Sequence, residues 1–248
     1  MFWALEAGRV DTRGLEFEQV VSDIQTLNEW ATEGRLEVTA ISAGAYPYVA
    51  SRYLLLPHGA SMGDGYGPIV VARDELDLRG VEIVIPGRLT TAYLVLRLAL
   101  GDVRVRELPF DQIADEVTSG RAEAGLLIHE GQLTYAGVGL RKLLDLGTWW
   151  QAETGLPLPL GVTVARRDLS RLADVSAVLG EAIQVGLDNP EEALAYAEGF
   201  GRGIDRETAA RFVAMYVNER TIGYGEDGRR AIEELFRRTG SDVEATYV

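Results

Sequence analysis

The stretch VEIVIPGRLTTAYLVLRLAL (81–100) decides the fold of this chain, because it joins a buried strand to a helix. Its first residues are mostly apolar and continuous, as in a strand that is buried on both faces. Pro86 and Gly87 end the strand, and Thr90 and Thr91 precede helix-forming residues. Because threonine is favoured at helix N-caps, we predict a helix from about residue 90 to 100.

A second stretch, TAISAGAYPYVASRY (39–53), repeats this order of strand, hydroxyl-bearing loop and helix. We predict a strand over 36–41 and a helix that Ser42 caps. The two units predict two sheets, each presenting a helix N-terminus to a shared cleft. Such N-termini bind carboxylates or hydroxyl-rich ligands. Helix capping alone also explains Ser42, Thr90 and Thr91, and the residues by themselves leave both interpretations open.

Working outward, strand and helix signals alternate as far as residue 167. Further predicted strands cover 15–21, 52–57, 68–73, 103–108, 124–129, 142–147 and 160–167. Further predicted helices cover 22–33, 111–120 and 148–155, and the chain is only helical after 167, with helix starts at Asn189, Asp205 and Gly225–Asp227. This alternation predicts an α/β fold with a largely parallel sheet on which the late helices pack.

The amino-acid composition excludes or disfavours several classes of site and partner. The 248 residues carry a net charge of −14, which repels nucleic acid and anionic membranes. With no cysteine and only His58 and His129, a disulfide scaffold, a thiolate metal site and a histidine-rich metal site are excluded. No apolar run reaches the roughly 18 residues of a membrane span, and the first residues lack the pattern of a signal peptide.

His129 is the candidate catalytic residue, because it closes the apolar strand AGLLIH. Ligands of α/β sheets bind beyond the carboxyl ends of the strands, and an imidazole there can accept a proton near neutral pH. A structural histidine bonded to a carbonyl is the alternative. Glu130 would point to the opposite face of a continuing strand, so it pairs with His129 only if the strand has ended.

Three other features have simpler interpretations. GDGYG (63–67) precedes a strand rather than a helix, so we interpret it as a turn at the edge of the cleft and not as a phosphate loop. Of Trp149 and Trp150, which could line an aromatic pocket, one should belong to the core, because adjacent helical positions differ by about 100°. His58 is expected to be exposed rather than functional.

Together, the motifs resemble the 1,4-dihydroxy-6-naphthoate synthases, enzymes of the futalosine route to menaquinone. They recur in family order along nearly the whole chain: DIQTLNEWATEG (23–34), LEVTAISAGAY (36–46), GYGPIVVAR (65–73), IPGRLTTAY (85–93), AGLLIHE (124–130), DLGTWW (145–150), TGLPLPLG (154–161) and NPEEAL (189–194). The IHE, TTAY and LPLPLG motifs separate this family from chorismate dehydratase, which shares its fold.

The resemblance implies a type II periplasmic-binding-protein-like fold, with two α/β lobes, a cleft and two crossing strands. The first lobe would hold residues 1–73 and 164–248, and the second would hold 74–163. The chain would cross between the lobes near 72–75 and 161–166.

The resemblance also implies a lyase that converts cyclic dehypoxanthinyl futalosine to 1,4-dihydroxy-6-naphthoate. The family's proton acceptor matches His129. Its substrate contacts match Ala40, Ile41, Ser42, Thr91 and Ala92. No cofactor or metal is expected, nor any nucleic-acid or membrane partner, and the enzyme would be cytoplasmic. The sequence does not predict its oligomeric state.

The start of the chain departs from this family. Its members carry a strand and a Ser-Pro-Cys-Pro-Asn-Asp-Thr-like loop before the helix that residues 2–5 match, whereas this sequence begins at that helix. Such a strand would be central in the first lobe. Its loss would leave buried backbone groups unpaired, at about 1–3 kcal/mol each, so we expect lower stability and activity without it.

Other functions remain as alternatives. A solute-binding protein of the same fold would bind without chemistry and would tolerate loss of its cleft histidine. The sensing domain of a transcription regulator would need a basic DNA-binding motif, and none is present. Chorismate dehydratase activity is disfavoured by the three motifs that distinguish the families.

Overall fold

A computed structural model describes residues 1–200 and 206–248. The strands are β1 (Val38–Ser42), β2 (Tyr53–Leu55), β3 (Ser61–Gly63), β4 (Ile69–Ala72), β5 (Glu82–Ile85), β6 (Arg104–Glu107), β7 (Ala124–Leu127), β8 (Arg141–Asp145) and β9 (Leu158–Arg166). The helices are α1 (Phe2–Glu6), α2 (Ile24–Glu33), α3 (Tyr46–Val49), α4 (Thr91–Leu100), α5 (Ile113–Thr118), α6 (Gly131–Thr134), α7 (Leu146–Thr154), α8 (Leu172–Asp188), α9 (Pro190–Glu198), α10 (Arg206–Tyr216), α11 (Glu219–Ile222) and α12 (Gly225–Arg238).

The strands form two sheets. In the four-stranded sheet, β9 runs antiparallel between β1 on one side and β2 and β3 on the other. The five-stranded sheet has the order β6-β5-β7-β4-β8. In it, β5 is parallel to β6 and β7, whereas β4 is antiparallel to β7 and β8.

The expectation of a largely parallel sheet is therefore wrong. Strands β4 and β9, which each pair antiparallel with more than one neighbour, are the first strands after the chain passes from one sheet to the other. Sheet membership changes between Gly63 and Ile69, and again between Asp145 and Leu158. The predicted lobe boundaries, at 73–74 and at 163–164, stay a prediction. Because β4 already belongs to the five-stranded sheet, its position favours a first crossing earlier than 73–74.

Most of the predicted elements are confirmed within a few residues, including the all-helical section after β9. Helix α2 begins at Ile24, two residues after the start of the predicted range, because Asp23 is its N-cap and accepts a hydrogen bond from the Thr26 N–H over 3.0 Å. It ends at Gly34, whose φ of 74° is the left-handed conformation that favours glycine. The helix start predicted at Asp205 lies outside the described residues.

The strand predicted over 15–21 is wrong, because this segment has no regular structure. Phe17, Val20 and Val21 are exposed. Apolar and β-branched residues favour a strand only where a neighbouring strand can pair with it, and no strand of the described residues pairs with this segment.

One continuous hydrophobic core joins the two sheets. It includes Ile41 and Val162 of the four-stranded sheet, Val70 and Ile83 of the five-stranded sheet, and Trp150 of α7. Trp150 is fully buried and donates its indole N–H to the Pro157 carbonyl over 3.0 Å. The interpretation of one tryptophan as a core residue is therefore confirmed.

A close backbone contact joins the 63–67 turn to α7. A Cβ atom added at Gly147 would lie 2.0 Å from the carbonyl carbon of Tyr66, a distance that no side chain tolerates. Glycine at this position therefore lets α7 start directly against the turn.

Candidate active site

A cavity of about 270 Å³ lies between the end of β1, the start of α4, the turn after β7, the middle of β9 and helix α10. Its apolar lining comes from Ile24, Ala40, Ile41, Pro68, Ala92, Ile128, Leu160, Val162 and Phe212. Its polar side chains are Ser42, Ser61, Thr90, Thr91, His129, Gln132 and Tyr216. A mostly apolar cavity with a few polar groups is typical of a small-molecule site.

The structure brings all six predicted site residues to this cavity. Ala40, Ile41 and Ser42 line it from β1, Thr91 and Ala92 from the first turn of α4, and His129 from the turn after β7. Their roles stay a prediction, since geometry alone does not assign them.

Ser42 is held in place by a buried amide. The backbone N–H of Ser42 donates to the Asn28 side-chain oxygen over 2.8 Å, and the Asn28 amide nitrogen donates to the Ser42 hydroxyl over 3.1 Å. The same nitrogen lies 3.2 Å from the Leu89 carbonyl. Asn28 therefore fixes the end of β1 relative to the loop that leads into α4.

The two threonines at the start of α4 act differently. Thr90 is the N-cap and accepts from the Tyr93 N–H over 3.2 Å, as predicted. The Thr91 hydroxyl accepts from the Gly44 N–H over 2.9 Å and donates to the Leu160 carbonyl over 3.0 Å. The Thr91 hydroxyl is therefore not available to a ligand. The donors that Thr91 and Ala92 can present to the cavity are their backbone N–H groups, which belong to the first turn of α4.

His129 adopts an unusual backbone conformation. Strand β7 ends at Leu127, and His129 has a φ of 53° in the left-handed region. Its imidazole meets the rings of Phe110 and Phe212 edge to face, with centroids 4.8 Å and 6.2 Å away. Glu130 precedes α6 as its N-cap, so it does not continue the strand.

Sequence reasoning missed the wall that α10 contributes. Tyr216 packs its ring against Phe212, with centroids 4.7 Å apart, and burial raises the pKa of the Tyr216 hydroxyl far above its usual value. Its hydroxyl hydrogen-bonds the side-chain amide of Gln132. Only the apolar spacing of Phe212 and Tyr216 on one helix face could have singled them out, and core residues share that spacing.

The cavity adjoins an open groove of about 560 Å³, lined by the start of α2 and by residues 107–111. Phe110 lines the groove, and its ring contacts His129 of the cavity. The side chain of Phe110 therefore lies between the groove and the cavity.

Two aromatic expectations need correction. Trp149 and Trp150 do not line the cavity, whose aromatic residues are Phe212 and Tyr216. His58 was expected to be exposed, but it is only 7% exposed, and its Nε2 lies 2.7 Å from the Ser176 carbonyl. A loop such as PHGA (57–60) is usually found at the surface, but helix α8 covers this one.

Within residues 1–200 and 206–248, no three histidine or acidic side chains lie together in a way that could hold a metal ion. Across the same ranges, every helix is too short or too polar to cross a membrane.

Comparison with known proteins decides the family. A family model described as menaquinone biosynthesis matches residues 1–241. The chain belongs to the menaquinone biosynthesis family. One relative, the 1,4-dihydroxy-6-naphthoate synthase of Thermus thermophilus, is 43% identical over 240 residues, which cover 95% of this chain and 88% of the relative.

Solved structures agree with the fold of this menaquinone biosynthesis family member. A protein from Archaeoglobus fulgidus is 47% identical and superposes with a TM-score of 0.92, over 96% of this chain and 91% of that one. The periplasmic aliphatic sulphonate binding protein of Escherichia coli superposes with a TM-score of 0.62 at 12% identity, over 98% and 85% of the two chains. The chain therefore has a periplasmic-binding-protein-like fold, as the family resemblance implied.

Proposed function

We propose that this chain is a 1,4-dihydroxy-6-naphthoate synthase, a lyase that acts on cyclic dehypoxanthinyl futalosine. One observation carries the proposal: in a member of this family, His129 shares one cavity with the start of α4 and the end of β1. This arrangement supplies a proton acceptor and hydrogen-bond donors around a single small molecule.

His129 is the general base of this proposal. A neutral imidazole accepts a proton near neutral pH, and its half-buried position leaves it in contact with the cavity. Removal of a proton from substrate carbon starts a bond cleavage, and aromatisation of the product then supplies driving force without a redox cofactor. The edges of Phe110 and Phe212 restrict where the imidazole can point.

Substrate binding is assigned to the two chain segments opposite His129. The first-turn N–H groups of Thr91 and Ala92 and the partial positive charge of the α4 N-terminus suit a carboxylate or a developing negative charge. The hydroxyl of Ser42 and the backbone of Ala40 and Ile41 suit the polar edge of the substrate. Among the described residues that line the cavity, none is a lysine or arginine that could take over this task.

Turnover of cyclic dehypoxanthinyl futalosine tests the proposal directly, with formation of the dihydroxynaphthoate followed by its absorbance. The assay is run on this chain and on a form extended upstream by the family's first strand and loop. If neither forms product and the extended form is folded, the proposal is wrong.

The His129→Ala variant is expected to lose turnover by about 10²- to 10⁴-fold, the range for removal of a general base. Binding of the product should change much less, because the N–H groups of α4 are untouched. Activity and product affinity are measured side by side. His58→Gln serves as the matched control, because His58 lies outside the cavity and should leave turnover unchanged at pH 7.5.

A solute-binding protein without catalysis is the competing function, since proteins of that class share the fold. It predicts ligand binding without product, and equal binding by the chain and its His129→Ala variant. Normal turnover by His129→Ala would instead keep the enzyme and remove His129 from its mechanism. We further propose that the enzyme works in the cytoplasm, with neither nucleic acid nor membrane as a partner.

A further inference from the structure

We infer, on the basis of the proposed function, that Gln132 is a positioning residue for His129. Its hydrogen bond to Tyr216, called the latch below, holds helix α10 against the turn between β7 and α6. Gln132 lies three residues after His129, on α6, and lines the same cavity. No side chain makes a cap hydrogen bond at the start of α6, and neither Gln132 nor Tyr216 belongs to the hydrophobic core clusters of the described residues.

The amide of Gln132 joins three segments of the chain. The amide is oriented so that its nitrogen faces acceptors and its oxygen faces donors. In this orientation the nitrogen donates to the Gly67 carbonyl over 2.6 Å, and the oxygen accepts from the backbone N–H of His129 over 3.2 Å. The Tyr216 hydroxyl donates to the same oxygen over 2.8 Å. In this orientation one side chain connects the turn before β4, the turn after β7 and helix α10.

The conformation of His129 explains why such support is needed. Residues other than glycine rarely adopt a left-handed φ, and they keep it only where surrounding contacts enforce it. Gln132 holds this backbone from both sides, because its own N–H donates to the His129 carbonyl over 3.2 Å while its side chain accepts from the His129 N–H. Without the amide, the backbone of His129 would lose the hydrogen bond to its N–H that helps to hold this conformation and so to direct the imidazole into the cavity.

Tyr216 connects this support to the opposite wall. Its ring packs on Phe212, which contacts the imidazole of His129. The ring of Tyr66 meets the ring of Tyr216 edge to face, with centroids 5.8 Å apart, and the Tyr66 hydroxyl donates to the Met215 carbonyl. Because burial keeps the Tyr216 hydroxyl protonated, it remains a hydrogen-bond donor to Gln132 across the working pH range.

Two variants and their double variant test the latch. Gln132→Met keeps the length of the side chain and removes its hydrogen bonds, and Tyr216→Phe removes only the hydroxyl. The matched controls are Gln184→Met, on the exposed side of α8, and Tyr196→Phe, whose hydroxyl bonds Glu6 and Gln19. Steady-state kinetics with cyclic dehypoxanthinyl futalosine and thermal unfolding are measured for all of them.

We expect Gln132→Met to lower kcat by about 10- to 100-fold with KM within about threefold, because it misdirects the base without removing substrate contacts. Tyr216→Phe should lower kcat by a smaller factor. The double variant should be no slower than Gln132→Met alone, since both changes break one linked unit. Both controls should keep the wild-type kcat.

A second readout does not depend on turnover. The chain has only two histidines, so histidine labelled with ¹³C in the ring gives two imidazole signals by NMR, and His58 is the internal reference. We expect the His129 signal to move or broaden in both cavity variants, while the His58 signal stays in place. If neither this chain nor the folded extended form makes product, the proposed function fails and the latch is judged from these signals alone.

An unchanged kcat together with an unchanged His129 signal, in Gln132→Met or in Tyr216→Phe, would overturn the inference. So would a rise in KM with constant kcat, which would make Gln132 a substrate contact instead. If Gln132→Met fails to fold, Tyr216→Phe decides by the same two criteria.

Discussion

At the scale of single residues, His58 gives the stability of this chain a dependence on pH. Burial disfavours its charged form and lowers the pKa of its imidazole in the folded chain. The unfolded chain therefore takes up a proton first as the pH falls through about 6.5. The stability that the neutral imidazole contributes is complete above that pH and is lost progressively below it.

We therefore expect the free energy of unfolding to fall between pH 7.5 and pH 5.5, and to fall less in His58→Gln. Glutamine keeps a donor for the Ser176 carbonyl but takes up no proton. One group contributes at most about 1.4 kcal/mol per pH unit. Urea unfolding at the two pH values measures this, with His129→Gln as the reference histidine variant; equal losses in wild type and His58→Gln would contradict it.

At the scale of elements, residues 246–248 pair with strand β2, a contact that sequence reasoning did not detect. The Leu55 N–H donates to the Thr246 carbonyl over 2.9 Å, and the Val248 N–H donates to the Leu55 carbonyl over 3.0 Å. The Tyr247 ring packs on Tyr224, with centroids 5.3 Å apart, and lies under the Arg229 guanidinium at 4.1 Å. This segment thus covers the free side of β2 and the start of α12.

We expect Tyr247→Ala to lower the free energy of unfolding by about 2–3 kcal/mol, because it exposes the otherwise buried ring of Tyr224. Tyr48→Ala is the matched control, since Tyr48 is 69% exposed and should change stability by less than about 0.5 kcal/mol. Tyr247→Phe should also be nearly neutral, because in the described chain no group hydrogen-bonds the Tyr247 hydroxyl. Chemical denaturation measures all three, and equal losses for Tyr247→Ala and Tyr48→Ala would contradict the expectation.

At the scale of the whole molecule, the cavity lies between segments of both sheets, with β1 and β9 on one side and the turn after β7 on the other. Ligands of such clefts favour a closed arrangement of hinged lobes, because closure lets both lobes contact the ligand. We expect saturating 1,4-dihydroxy-6-naphthoate to lower the radius of gyration in X-ray scattering. Identical profiles with and without this product would count against closure.

The sequence by itself determined most of the element types, the family and the positions of the candidate site residues. Local rules suffice for these: VEIVIP and AGLLIH are continuous apolar runs, Thr90 caps α4, and Gly34 ends α2. The site prediction came from the motifs, because His129 and the two strand-to-helix units stand in the same order along this chain as in the family it resembles. All six predicted residues meet in one cavity for this reason.

Only the tertiary structure decided what depends on neighbours distant in sequence. Residues 15–21 have strand-forming side chains, but no strand in the described part of the chain pairs with them, and His58 lies in a loop that α8 covers. Gln132 and Tyr216 are 84 positions apart, so their hydrogen bond has no local signal. The left-handed conformation of His129 likewise comes from contacts that the fold assembles, and no pattern in the sequence encodes it.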